Sequence, residues 1–217
     1  MKKRTLALVF VLLAIVFGAQ ISGVSASFYG EDTAPYAGSD TKNASSFAVV
    51  TAQASSGKCK IKVNRLYFPY LYWGGTWSAA WVSGSETMSQ SWTANWAFYA
   101  NWDIDYRLQT ADNAKVTLSI VFYLFDADGD KLGEAVAWKK SQQSQEWDDI
   151  EQELDDESNT EIFTTDLTYG HTYYFAVALK VYIHYNCRKV RVTARTDHSD
   201  PALLIVNRIM WTSDTPE

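Results

Sequence analysis

The segment from Ser91 to Leu108, SWTANWAFYANWDIDYRL, alternates apolar and polar residues along almost its whole length. Successive side chains of a β-strand point to opposite faces, so this pattern predicts one long strand with one buried face. A helix would instead place Asp103 on the same face as Trp92 and Trp96, which argues against a helical interpretation. The apolar residues occupy the even-numbered positions: Trp92, Ala94, Trp96, Phe98, Ala100, Trp102, Ile104, Tyr106 and Leu108.

The same period of two recurs along the rest of the chain. Several short strands separated by turn residues, without a long helical pattern, predict an all-β fold. We expect a single antiparallel β-sandwich, either immunoglobulin/fibronectin-III-like or jelly-roll-like. The clearest alternating runs lie at 58–63, 115–124, 173–183 and 189–195, with further strands expected near 47–53, 77–82, 131–138, 160–166 and 202–211.

The sequence DADGD at 126–130 predicts a tight turn. It contains Asp-Gly, the strongest short signal for a β-hairpin. A calcium loop is the alternative, but the positions that an EF-hand gives to Gly and Glu hold Lys131 and Ala137 here. We therefore predict a hairpin turn and no metal site.

The sequence LTYGHTYYFAV has the spacing of a tyrosine corner. In that motif a Tyr at the start of a strand, here Tyr173 between Leu167 and Phe175, bonds back to backbone upstream. The stretch resembles the corresponding part of fibronectin type III and other immunoglobulin-like domains over about a dozen residues. The resemblance implies a sandwich architecture and no particular function.

The first residues have the features of a secretory signal. Lys2, Lys3 and Arg4 precede an apolar run at 6–19, and small residues suited to a signal peptidase follow. An uncleaved anchor is the alternative, although the run is shorter than the roughly 20 residues of a membrane span. We expect a secreted protein, extracellular or at the cell surface, with no membrane span once processed. The predicted divisions are a signal peptide at 1–26, an extended leader at 27–45, the sandwich domain at 46–212 and a tail at 213–217.

The net charge and the absence of catalytic motifs argue against two classes of function, nucleic-acid binding and catalysis. Residues 1–26 hold three basic and no acidic residues, so the processed chain keeps 16 Lys and Arg against 25 Asp and Glu, a formal charge of −9. This charge argues against nucleic acid as a partner. No GxSxG, HExxH or paired-cysteine motif is present, so we predict a protein without catalytic residues or a cofactor.

The two cysteines, Cys59 and Cys187, predict one disulfide in an exported chain. A zinc site is the alternative, but neither cysteine has a second one at ligand spacing. Asn43 begins an Asn-Ala-Ser acceptor sequence for N-glycosylation, usable only in a host that glycosylates asparagine.

The run YFPYLYWGGTWSAAW at 67–81 carries aromatic residues on both faces of any strand it forms. Pro69 confines it to an edge or a loop, so some of these rings should be exposed. Exposed Trp and Tyr rings suit sugar stacking or protein interfaces, whereas the alternative is a second core layer beneath a loop. The candidate ligand-binding residues are Tyr70, Tyr72, Trp73, Trp77 and Trp81, with Trp73 and Trp77 favoured.

Two basic stripes and one acidic segment complete the candidates. A Cys59–Cys187 disulfide would merge the stripes into a patch for anionic polymers or for self-association. Protection of edge strands by lysine is the alternative. The segment 146–161 holds nine of the 25 acidic residues and predicts a solvated loop or short amphipathic helix, with Trp147, Ile150 and Leu154 packing down. The basic residues are Lys58, Lys60, Lys62, Lys189, Arg191 and Arg195.

These features together predict a secreted, non-catalytic β-sandwich that acts by binding or assembly. A carbohydrate-binding module that uses the aromatics at 67–81 is one specific form. A subunit of an extracellular filament or surface layer, whose leader adds a strand to a neighbour's sheet, is another. The expected partners are a polysaccharide or another surface protein.

Overall fold

The computed structural model describes residues 29–42, 49–65, 76–89, 91–184 and 189–212, without the side chains of 29, 41, 42, 49, 50, 64, 65, 76 and 92–94. The predicted signal peptide, Asn43, Cys187 and the tail lie outside these residues. The described chain forms strands throughout and contains no helix that could cross a membrane. Its strands are β1 (Tyr29–Asp32), β2 (Tyr36–Lys42), β3 (Val49–Ser55), β4 (Lys58–Arg65), β5 (Thr76–Thr87), β6 (Trp92–Ala111), β7 (Ala114–Asp126), β8 (Lys131–Ser144), β9 (Asp148–Leu167), β10 (Thr172–Ile183), β11 (Lys189–Thr193) and β12 (Ala202–Thr212).

The strands pair into two antiparallel sheets, which confirms the predicted all-β sandwich. Sheet A has the order β1-β12-β4-β11-β6-β9, with β3 on β4 and a further pairing of β12 with β6. Sheet B has the order β2-β5-β10-β7-β8. The inner faces of the two sheets enclose one hydrophobic core.

The long strand β6 supplies much of that core, as its alternation predicts. Every even-numbered residue from Trp96 to Leu108 is buried. The ring of Phe98 lies 4.6 Å from Phe122 of β7 and 5.7 Å from Phe175 of β10, measured between centroids. Phe175 in turn stacks on Trp211 of β12, with centroids 4.5 Å apart and planes 3° from parallel. Full burial of such a side chain contributes about 1.5–3 kcal/mol, so these rings hold the two sheets together.

Both predicted turns are confirmed. In the tyrosine corner, the backbone N–H of Thr168 donates to Tyr173 Oη at 3.0 Å. In DADGD, Asp126 Oδ1 accepts hydrogen bonds from the N–H groups of Asp128 and Asp130, at 3.0 and 2.8 Å. Gly129 has φ +87°, a left-handed conformation that glycine adopts without strain.

The segment predicted as a separate leader contains two strands of the sandwich. β1 pairs with β12 in sheet A, and β2 pairs with β5 in sheet B. Its alternation is weak because β2 reads YAGSDTK, with small and polar residues on both faces. These residues therefore belong to the domain.

The acidic segment is a strand, so the predicted loop or short helix is wrong. β9 pairs with β6 along most of its length, with one register shift between Trp102 and Ile104. Ile150 and Leu154 pack against the core as expected, whereas Trp147 is 49% exposed. The period of two at 150, 152 and 154 was obscured by the density of charge.

The predicted disulfide is not formed, because Cys59 is a free and fully buried thiol. Its Sγ lies 3.9 Å from the carbonyl oxygen of Val177, and burial raises its pKa to about 12. The register explains the error: Val190 pairs with Arg65, six residues along β4 from Cys59, a distance of about 20 Å. Three residues of chain before Val190 extend at most about 11 Å, too short to close that distance.

Candidate functional site

The outer face of sheet B carries a groove with aromatic walls. Two adjoining depressions, of about 320 and 360 Å³, share Trp81, Phe125 and Gly129. The turn that contains Gly129 thus forms part of the lining. We call the two depressions together the aromatic groove, and its aromatic residues are Tyr36, Trp77, Trp81, Tyr123, Phe125 and Tyr174.

The alternation of three strands produces this face. Neighbours in the core such as Val82, Phe122 and Phe175 point inward, so the residues between them point outward. The central strand β10 presents Ala176 and Ala178 outward, and both are fully buried. These two small residues in the middle of β10, between the large rings of β5 and β7, leave a groove rather than a flat face.

Trp81 is held against the backbone of β2. In the register Gly38 lies directly opposite Trp81. A Cβ atom placed on Gly38 would lie 2.5 Å from Cζ2 and 2.6 Å from Cε2 of the Trp81 indole. The absence of a side chain at Gly38 therefore allows the indole to lie over the strand.

Tyr36 and Tyr174 form the other end of the groove. Their rings meet edge to face, with centroids 5.6 Å apart and an interplanar angle of 86°. Tyr36 is 50% exposed, so much of its surface is open to a ligand. On the opposite wall the rings of Tyr123 and Phe125 lie 5.4 Å apart.

Charged side chains lie among these rings. Lys180 Nζ is 5.6 Å from the centroid of the Trp77 ring and 6.0 Å from that of Tyr123. It donates to Tyr123 Oη at 3.3 Å and lies 3.6 Å from Glu134 Oε1. Lys131 makes a closer ion pair with the same carboxylate, through Oε2.

Two pKa values reflect this environment. Burial, with a further contribution from the Glu134 charge, raises the pKa of Tyr123 to about 12. Burial alone would raise the pKa of Glu134, but the hydrogen bond from Lys131 and the charge of Lys180 outweigh it and lower that pKa. The tyrosine is therefore protonated and the carboxylate ionised at neutral pH.

The structure places two of the five candidate aromatics in the groove. Trp77 and Trp81 lie on the outer face of β5, both half-buried. Tyr70, Tyr72 and Trp73 lie outside the described residues. The contributions of β2, β7 and β10 were not predicted, although the outward positions of β7 and β10 hold a visible pattern of Tyr, Phe, Lys and Ala.

The candidate basic residues lie on sheet A, away from the groove. β4 and β11, which carry the two stripes, are paired with each other, so the stripes adjoin without a disulfide. Three of these side chains have polar or charged partners: Lys189 with Asp112, Arg195 with Glu153, and Arg191 with Gln109. Lys62 donates to the carbonyl of Ser199, and Lys58 and Lys60 are exposed.

A second aromatic contact lies on sheet A. The guanidinium carbon of Arg191 is 5.9 Å from the ring centroid of Trp147, beside a depression of about 370 Å³. This depression has fewer aromatic residues than the aromatic groove, because Trp147 is the one ring that lines it. Within the described residues, no group of three His, Cys, Asp or Glu side chains is placed to hold a metal ion.

No protein-family model and no curated protein sequence matches this chain. Among solved structures, the chain is similar to a family 35 carbohydrate-binding module from Clostridium thermocellum, with 10% identity and a TM-score of 0.27 over 85% of this chain and 97% of that one. The chain is also similar to a xylan-binding domain of family 22, with 12% identity and a TM-score of 0.27 over 84% of this chain and 97% of that one.

An isomalto-dextranase from Arthrobacter globiformis T6 gives 13% identity and a TM-score of 0.27. That likeness covers 84% of this chain but 23% of the enzyme.

Proposed function

We propose that this protein is an exported, non-catalytic module that binds polysaccharide in the aromatic groove. The observation that carries the proposal is the placement of Trp77 and Trp81 on one face of β5. Four residues of strand separate them by about 13 Å, which is longer than a single sugar ring. The site therefore suits a chain of sugars better than one monosaccharide.

The chemistry of the groove fits such a ligand. Sugar rings have apolar C–H faces that pack on flat aromatic rings, and hydroxyl groups around their rims. The small side chains of Ala79 and Ala176 in the lining allow a ring to approach the sheet, while Lys180 and Glu134 offer a donor and an acceptor. A depression of about 360 Å³ also lies within the usual range for small-molecule sites, about 300–1,000 Å³.

The filament alternative has less support. In that hypothesis the residues at 27–45 add a strand to a neighbouring subunit. β1 and β2 instead pair within their own sheets, and β1 carries a further tie to β12 through the Arg208–Glu31 ion pair. Strand donation would require these pairings to break first.

The test is a titration of the protein with soluble polysaccharides, followed by intrinsic tryptophan fluorescence. We expect a saturable change, and a dissociation constant at least tenfold higher in Trp77→Ala and Trp81→Ala, which corresponds to about 1.4 kcal/mol. Trp147→Ala is the matched control, because that indole is exposed on the other sheet and should not affect affinity. An equal loss in all three variants, or no saturable change with any polymer, would contradict the proposal.

A further inference from the structure

We infer that the aromatic groove prefers acidic polysaccharides, and that Lys180 binds the oxyanion of a carboxylated or sulfated sugar. This inference rests on the proposed polysaccharide function and adds the class of ligand. It comes from Lys180 within the groove and from the lysines on the face around it, which the aromatic candidates at 67–81 do not include.

Lys180 has hydrogen-bonding capacity to spare. A lysine ammonium carries three N–H donors. Among the described residues, Lys180 donates to Tyr123 Oη at 3.3 Å, and its 3.6 Å separation from Glu134 is too long for a hydrogen bond. Two donors therefore remain for a ligand in the groove between the rings of Trp77 and Tyr123.

Glu134 does not neutralise both lysines beside it. Its carboxylate carries one negative charge, and it lies nearer to Lys131 than to Lys180. The Asp40 carboxylate lines the same depression, so two ammonium groups and two carboxylates balance there, and Lys180 is the ammonium that Glu134 pairs less closely. Lys180 is 28% exposed at its side chain, so solvent screens this charge less than it would on an open surface.

The wider face, in contrast, carries more lysines than carboxylates. Along the outward positions of β2, β5, β7, β8 and β10, the carboxylates are Asp40 and Glu134. The nearby Asp126 carboxylate accepts two backbone hydrogen bonds within its own turn. Against them stand four lysines on the same face, in a chain of formal charge −6: Lys115, Lys131, Lys139 and Lys180.

An excess of lysine on the face around the groove, together with the spare donors of Lys180 within it, favours an anionic ligand. A hydrogen bond between an ammonium and an oxyanion is about twice as strong as one between neutral groups. A neutral sugar would offer Lys180 a hydroxyl group only. The groove should therefore distinguish an acidic sugar from its neutral counterpart.

The experiment compares three polymers by tryptophan fluorescence at low and high salt: a soluble polyuronate, the same polymer after chemical reduction of its carboxyl groups, and a sulfated neutral polysaccharide. We expect the polyuronate to bind at least tenfold more tightly than its reduced form, with the difference shrinking at high salt. If the sulfated polymer also binds, the groove recognises any oxyanion. If the sulfated polymer does not bind, the groove recognises carboxylate specifically.

Three variants test the role of Lys180. Lys180→Met should remove the preference for the polyuronate, whereas Lys60→Met, on the exposed face of sheet A, should leave it unchanged. Glu134→Gln removes the competing carboxylate and should tighten binding of the polyuronate, which keeps the test valid if Lys180→Met does not fold. Circular dichroism checks the fold of each variant.

The outcomes separate this inference from the proposed function. If the reduced polymer binds as tightly as the polyuronate and Trp77→Ala abolishes both, the groove binds polysaccharide and the inference about charge is wrong. If no polymer produces a Trp77-dependent change, both are wrong. If Lys60→Met removes the preference as Lys180→Met does, the selectivity does not lie in the groove.

Discussion

Gly38→Ala tests the position of the Trp81 indole without any ligand. The new methyl carbon would lie 2.5 Å from Cζ2 of the indole, whereas carbon atoms in contact are normally about 3.5–4.0 Å apart. The indole must therefore move by roughly 1 Å or leave the strand. Overpacking of this kind costs about 1–3 kcal/mol, and we expect the lower part of that range because Trp81 is half-buried.

The assay is thermal and urea unfolding of the wild type and three variants: Gly38→Ala, Trp81→Ala and the double variant. Gly38→Ala should lower Tm by roughly 2–4 °C for each kcal/mol lost. In the Trp81→Ala background the same substitution should be neutral or slightly stabilising, since alanine is preferred to glycine within a strand by about 0.5–1 kcal/mol. Ser39→Ala, one residue along β2, is the matched control.

An equal destabilisation by Gly38→Ala in both backgrounds would refute the reasoning, because the cost would not then arise from the indole. A shift in the tryptophan emission of Gly38→Ala, absent when Trp81 is already removed, would give independent support.

Two further predictions concern the core and its edges. Tyr173→Phe removes the acceptor of the Thr168 N–H. It should lower the free energy of unfolding, measured in urea, by about 0.5–1.5 kcal/mol. An unchanged urea midpoint would mean that solvent fully replaces the hydrogen bond. Burial raises the pKa of Cys59 from 9.0 to about 12, so the native state retains a proton that the unfolded chain loses above pH 9. The free energy of unfolding should therefore fall as pH rises from 9 towards 12, and it should fall by less in Cys59→Ala. A thiol reagent at pH 8 should modify Cys59 in a Cys187→Ser variant only when denaturant is added.

The sequence predicted the architecture through patterns that are local. The alternation in β6 is clear because one side of that strand faces the core from Trp96 to Leu108. The tyrosine corner and the Asp-Gly turn depend on residues a few positions apart. Such features can be recognised in a single chain because every interacting residue lies nearby in the sequence.

The groove could be predicted only in part because its walls come from different strands. Trp77 and Trp81 were candidates because they lie in an aromatic run. Tyr36 and Tyr123 join them through the strand order of sheet B, and alternation does not determine strand order. The disulfide prediction failed for the same reason: two cysteines in an exported chain suggest a pair, but the register that places Val190 of β11 opposite Arg65 of β4 cannot be read from the sequence.

The acidic strand β9 has a consequence for how the protein behaves in solution. It lies at the end of sheet A, and within the described chain it pairs with β6 alone. A twenty-residue edge of this kind would normally recruit another copy through its free backbone groups, but nine of its side chains are carboxylates that repel such a copy at neutral pH. Salt screens such repulsion between exposed charges. High salt should therefore promote self-association along β9, and purification or storage belongs at low ionic strength near neutral pH.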